Sequence, residues 1–367
     1  MTTRKETIDP GHKINRRTLL AGATALGATM IGGGSALADV PPKFSNPDLE
    51  AAAKNDTGLR VVGSPGELPV IVKEFTSRFP WITVEQVRAS SGQLHQRFMT
   101  EMAAGVTNFD LIVNYDYMLK EADDKGYIAE YESTEAKAIK APGAIIRPGK
   151  FYPYYHFRVA NAWNTQAVEA GWKPESWLEM VKSDVGKGQE GYFMMPSPLG
   201  TYSVLLHLYA LRQRYGLEYI EALAALNPRM FPSQTAMSPI LTTGGMPVAL
   251  LFGELTAFTA WNNGAAPVSW AIPKEGTTAS FMSSALVARG QNVNAAHLFQ
   301  EWLFSRDGQV VMQRTFGANP TRPDVDDVRP IPPVVPANAV DVWDIDWNHF
   351  AEVNDPWRQD LVRLFHL

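Results

Sequence analysis

The chain contains no cysteine, which excludes disulfides, thiol catalysis, cysteine-ligated zinc, iron–sulfur clusters and a lipid-modified N-terminal cysteine. Positive charge is also scarce: Lys+Arg 33 against Asp+Glu 38 leaves a net −5, so no broad basic surface is offered to nucleic acid. No segment approaches 18 apolar residues in a row, so no membrane-spanning helix is expected. Catalytic signatures are missing too. Beyond the first forty residues there is no G-x-S-x-G elbow and no Walker loop, and no two of the seven histidines stand four residues apart. Asp344-Ile345-Asp346-Trp347-Asn348 imitates the start of a calcium loop, but His349 stands where that loop needs glycine. No metal site is expected, and no cofactor.

What is present is an ordinary globular composition. With 367 residues, 45% of them apolar and 19% charged, the chain has room for about two domains. Its first forty residues read as an address. Arg4, Lys5, Lys13, Arg16 and Arg17 precede a weakly apolar stretch from Thr18 to Ile31, and Ala36-Leu37-Ala38 supplies a small-residue cleavage site that predicts Asp39 as the mature N-terminus. Asn15-Arg16-Arg17-Thr18-Leu19-Leu20 resembles a twin-arginine signal, which exports folded proteins; the alternative is a standard secretory signal that happens to hold two arginines. Removing residues 1–38 takes away five basic and two acidic side chains, leaving 28 against 36, a net −8. A cysteine-free, acidic product of this kind suits the periplasm.

Strand and helix signals alternate from residue 59. Apolar runs at Leu59–Gly63 and Phe109–Val113 and an alternating strand at Ile82–Ala89 are separated by helical patterns, one carrying Leu94, Phe98 and Met102 on a single face. This βαβαβ rhythm implies a parallel sheet covered by helices. After the aromatic stretch Phe151–Phe157 a second unit is expected. It has strands at Tyr192–Met195, Pro247–Phe252, Val268–Ile272 and Ser284–Ala288, helices at Thr201–Tyr215 and Glu254–Asn262, and one long late helix from about Asn294 to Phe316. Four prolines in Arg329–Pro336 read as an extended linker, and Trp343, Trp347, Phe350 and Trp357 imply a tail that packs.

Ligands of open α/β sheets collect beyond the carboxyl ends of strands. The polar residues in that position are Ser64, Ser90, Ser91, Tyr115, Asp116, Ser197, Thr201 and Glu254, drawn from five strand ends in both units. Each also has a plain structural reading: the serines and Thr201 as helix caps, the tyrosine as a packed ring, and the two carboxylates as charges favouring helix N-termini. Their convergence carries the expectation of a shared cleft.

At these residues the sequence resembles the extracellular solute-binding proteins that feed ATP-driven importers. Phe109-Asp110-Leu111-Ile112-Val113 with Gly126-Tyr127-Ile128, the run Val268–Thr277, and Asn294–Leu303 through Asp307-Gly308-Gln309 carry the likeness, in order, from about Leu59 to Asp324. The resemblance implies an α/β, two-lobed periplasmic-binding-protein-like type II fold with two crossover strands, at 152–164 and 267–285. Lobe one would hold residues 39–151 and 274–330 and lobe two 152–273, with a docking tail at 331–367. It further implies a monomer without enzymatic activity, partnered by an inner-membrane ABC permease with its ATPase and, during export, by the twin-arginine translocase. The solute would be small and charged: a polyamine, an aminophosphonate or ferric iron. The iron binders of this branch usually carry a tyrosine pair where this chain has Gly253-Glu254-Leu255. A ligand-sensing receptor domain is the alternative function, and a periplasmic enzyme a further one.

Overall fold

The computed structural model describes residues 43–63, 66–262, 266–329 and 341–367; the segment read as an export signal, Ser64 and most of the proline-rich stretch lie outside them. The chain begins with α1 (Pro47–Ala53), β1 (Leu59–Gly63), α2 (Leu68–Arg78), β2 (Val84–Arg88), α3 (Ser91–Ala103), β3 (Leu111–Tyr115) and α4 (Asp116–Asp124). Periodicity accounts for these elements. Leu94, Phe98 and Met102 recur every fourth residue of α3 and are its buried residues. β3, an inner strand, is buried on both faces at Leu111, Ile112 and Val113. β1 pairs in parallel with β2 on one side and β3 on the other. The edge strand β2 exposes Glu85, Gln86 and Arg88, polar groups that discourage pairing with another chain.

β4 (Phe151–Asn164) follows, then α5 (Trp177–Lys182), β5 (Phe193–Pro196), α6 (Tyr202–Tyr215), α7 (Leu217–Ala225), β6 (Arg229–Phe231) and α8 (Gln234–Thr243). β7 (Val248–Gly253), α9 (Glu254–Asn262), β8 (Val268–Ala271) and β9 (Ala279–Leu286) come next. The chain closes with α10 (Val293–Phe304), α11 (Arg306–Phe316) and α12 (Trp347–Phe365).

The 14 residues of β4 span roughly 45 Å at about 3.3 Å per residue, and the strand changes neighbours midway. Phe151 to Arg158 pair antiparallel with β9, which pairs in turn with β3. Val159 to Asn164 pair with β7 and β8, and β7 leads through parallel contacts to β5 and β6. The strand order β2-β1-β3-β9-β4-β7-β5-β6, with β8 on the far end of β4, is therefore a two-lobed α/β fold with two crossovers. Lobe one packs Phe75, Phe299 and Trp302 beneath Val61 and Leu111, with the Phe75 and Phe299 rings 4.7 Å apart. Lobe two packs Val159, Phe193, Leu205, Leu208, Val248 and Leu250. Each such side chain contributes about 1.5–3 kcal/mol over its exposed state.

Two expectations need correction. The late helix is two helices, because Ser305 is extended (φ −67°, ψ 159°) and its hydroxyl accepts from the Gly308 N–H at 3.1 Å, capping α11 as α10 ends. A Cβ on Gly308 would meet the Trp302 carbonyl at 2.0 Å, so only glycine permits this break. β9 also begins earlier than the apolar signal at Ser284–Ala288 implies: all eight of its residues are buried, including Ser280, Ser283 and Ser284. Buried serines interrupted the hydrophobic run that sequence reading relies on. The tail packs on lobe two, where Trp343, Phe350 and Trp357 are buried in its core.

Candidate functional site

A cavity of about 190 Å³ lies between the lobes. Lobe one lines it with Gly66 and Glu67 after β1, Ser90 and Ser91 at the start of α3, and Tyr115 at the end of β3. Tyr155, Phe157 and Met282 from the crossover strands form its floor. Lobe two contributes Thr201 and Tyr202 at the start of α6, Ser233 and Gln234 at the start of α8, and Leu255 and Thr256 in the first turn of α9. Helix starts therefore meet here from both sides. The first N–H groups of a helix have no acceptor within it, and its N-terminus carries roughly half a positive charge. Such helix starts and hydroxyls are groups that can hold an anion. Among the described lining residues there is no lysine, arginine or histidine, and Glu67 is the one carboxylic acid.

Local contacts fix these groups. Gln234 Oε1 accepts from the Gly253 N–H at 3.0 Å and from the Thr256 hydroxyl at 2.9 Å, wiring α8 to α9. Ser233 caps α8, its hydroxyl accepting from the Ala236 N–H at 3.2 Å. The Tyr155 hydroxyl donates to Glu67 at 3.4 Å. Burial pushes the Glu67 carboxyl up, while its backbone N–H, Arg88 and Tyr155 pull it down; the net direction is upward. Burial, reinforced by Glu67, also raises the Tyr115 and Tyr155 phenols far above their ordinary range, so both rings present neutral hydroxyls. Tyr202 keeps a buried hydroxyl with no partner among the described residues.

Of the residues expected from sequence, Ser90, Ser91, Tyr115 and Thr201 come together on this cavity, and Ser64 lies outside the described residues. The other three point elsewhere. Asp116 is buried and accepts from the Tyr117 N–H at 2.8 Å and the Ile145 N–H at 2.7 Å, fastening a loop rather than facing the cavity. Burial raises its carboxyl to about 7. Ser197 shapes its own turn: its hydroxyl accepts from the Leu199 N–H at 3.3 Å, and its N–H donates to the Phe231 carbonyl at 2.7 Å. Glu254 is buried against Arg158, whose Nε and Nη2 donate at 2.9 and 2.8 Å, and Asn319 also donates to it. Burial alone would raise this carboxyl, but the Arg158 guanidinium, with Arg329 nearby, holds it below the usual range.

Sequence reading missed Glu67, Tyr155, Ser233, Gln234 and Thr256. Glu67 was within reach, since it closes the loop after the first strand. The α8 group was not, because β6 is three residues long and leaves no apolar run before Pro232-Ser233.

The family profile of bacterial extracellular solute-binding proteins matches residues 70–340. The chain belongs to this family. No curated protein matches the sequence. The solute-binding protein is similar in structure to the substrate-binding protein of an ABC transporter from Agrobacterium tumefaciens, with 15% identity and a TM-score of 0.71 over 83% of this chain and 95% of that one. It is also similar to AfuA from Actinobacillus pleuropneumoniae with fructose 6-phosphate bound, at 15% identity and TM-score 0.69 over 84% and 99% of the chains. Iron-bound HitA from Pseudomonas aeruginosa gives 15% identity and TM-score 0.67 over 83% and 99%. These likenesses establish the shared fold.

Proposed function

We propose that this solute-binding protein captures a small zwitterion of the aminophosphonate type between its lobes and hands it to an ABC permease in the inner membrane. The supporting observation is the meeting of helix N-termini and hydroxyls around a cavity whose one acid among the described lining residues is Glu67. The phosphonate takes the donor-rich region of Ser90, Ser91, Thr201 and Ser233, and the ammonium takes Glu67 and the neighbouring tyrosine faces. A polyamine needs a carboxylate at each end, and Asp116 and Glu254 are both engaged internally. Ferric iron loses the carboxylate donor that Glu254 would have supplied. Delivery follows export by the twin-arginine route into the periplasm, and the protein acts by binding and closure, as a monomer, without chemistry on its solute. The hinge lies in segments 152–164 and 267–285, dividing lobe one (39–151 and 274–330) from lobe two.

Thermal-shift titration with 2-aminoethylphosphonate, spermidine, ferric citrate and inorganic phosphate tests this reading. The aminophosphonate is expected to raise the melting temperature, since ligand at a hundred times Kd adds about 2.7 kcal/mol to stability. A response to spermidine or ferric citrate alone overturns it.

A further inference from the structure

The C-terminal tail is fixed to lobe two but reaches across to lobe one. Its entry is hydrogen-bonded to the second crossover segment: the Thr277 N–H donates to the Asp341 carbonyl at 2.9 Å, and the Trp343 N–H to the Thr277 carbonyl at 2.8 Å. Asp346 caps α12, its carboxylate accepting from the Asn348 and His349 N–H groups at 3.1 and 3.0 Å. The helix then buries Phe350, Trp357, Leu361 and Phe365 in the lobe-two core. Arg212 of α6 holds it there, pairing with Asp360 at 3.1 Å and lying 4.8 Å over the Trp357 ring.

At the first residue of α12 the contacts change side. The Trp347 ring is parallel to Tyr117 of α4, with centroids 5.5 Å apart and planes 15° from each other. Tyr117 is also parallel to Tyr202 of α6, at 5.7 Å and 14°. Tyr117 belongs to lobe one, and α4 packs on β3 and β9. Tyr202 and Trp347 stand on lobe two, and Tyr202 lines the cavity. Any motion that carries α4 away from α6 separates Tyr117 from both partners at once.

We propose that Trp347 is a positioning residue: through Tyr117 and Tyr202 it makes the tail a latch that holds the two lobes together at the mouth of the cavity. This goes beyond the capture reading, because it concerns the balance between closed and separated lobes whatever the solute.

The absence of cysteine makes the test direct. Lys125→Cys in lobe one and Lys187→Cys in lobe two, both exposed positions, take one spin label each, and electron–electron double resonance reads the interlobe distance with no ligand added. Trp347→Ala is expected to raise the separated population roughly 2- to 10-fold, the range of one aromatic pair. Tyr117→Ala, which removes both stacks, is expected to raise it further, and Trp347→Phe to restore the distribution. Leu361→Ala loosens the tail on lobe two without touching Tyr117, so it lowers the melting temperature and leaves the distances unchanged. If Trp347→Ala behaves like Leu361→Ala, lowering the melting temperature with an unchanged distribution, the latch is overturned. The readout contains no solute, so that failure is distinct from a failure of the aminophosphonate reading.

Discussion

Arg158 and Glu254 lock together where β4 passes from one lobe to the other. Arg158 is the last residue of β4 paired with β9, Val159 the first paired with β7, and the Arg158 side chain and backbone N–H all donate to the Glu254 carboxylate within 2.9 Å. Both residues are buried. Removing one member of such a pair leaves the other charge without compensation, which costs about 3–5 kcal/mol. Glu254→Gln is therefore expected to lower stability by that order in urea denaturation, while the folded fraction keeps its solute affinity. Because Glu254 is held below its usual 4.5, this stabilisation is present above about that pH and is lost on acidification. A variant of normal stability and reduced affinity would return Glu254 to the binding site.

His207 gives the protein a second acid sensitivity. It is fully buried, with its Nδ1 2.9 Å from the Thr278 hydroxyl and its ring parallel to Trp343, and burial lowers it to about 3. The folded state keeps it neutral while the unfolded chain protonates it below about 6.5. Stability is thus present above pH 6.5 and falls as pH drops toward 3. Asp116, raised to about 7, works in the opposite sense between pH 4 and 7. In His207→Phe the stability–pH slope between pH 4 and 6 is expected to lose up to one proton, about 1.4 kcal/mol per pH unit. An unchanged slope would mean that the folded protein protonates His207 freely.

Thr201 tests the sign of the solute end held by the helix starts. Thr201→Asp places a carboxylate where an anion is proposed to sit, and affinity for 2-aminoethylphosphonate is expected to fall by at least about tenfold, or about 1.4 kcal/mol, by calorimetric titration. Tighter binding would mean that this part of the cavity faces a cation.

The tail is expected to be integral to lobe two. Trp357 is 1% exposed, and Trp357→Ala should cost about 3–5 kcal/mol in chemical denaturation. An effect below about 0.5 kcal/mol would show a tail that merely rests on the surface.

Much of this architecture was legible because apolar periodicity was strong. Leu59–Gly63 and Glu254–Asn262 have the bounds read from sequence, and Ser90, Ser91, Tyr115 and Thr201 reach the cavity because strand ends and helix starts are locally encoded. What was illegible depended on partners distant in sequence. Glu254 stands at a helix start like a ligand group, and only the arrival of Arg158, 96 residues earlier, shows that its charge is already engaged. Trp347 meets Tyr117 by a similar long-range contact. The α8 residues were hidden by a strand too short to leave a pattern.

The most direct test is native mass spectrometry of the protein purified from cells without added solute, wild type beside Thr201→Asp. The expected result is one bound small molecule in the wild type, identified on release as a phosphonate- or phosphate-bearing zwitterion, and none in the variant. A bound polyamine or iron, or a solute retained equally by Thr201→Asp, would contradict the placement of an anionic group at the meeting of the helix N-termini.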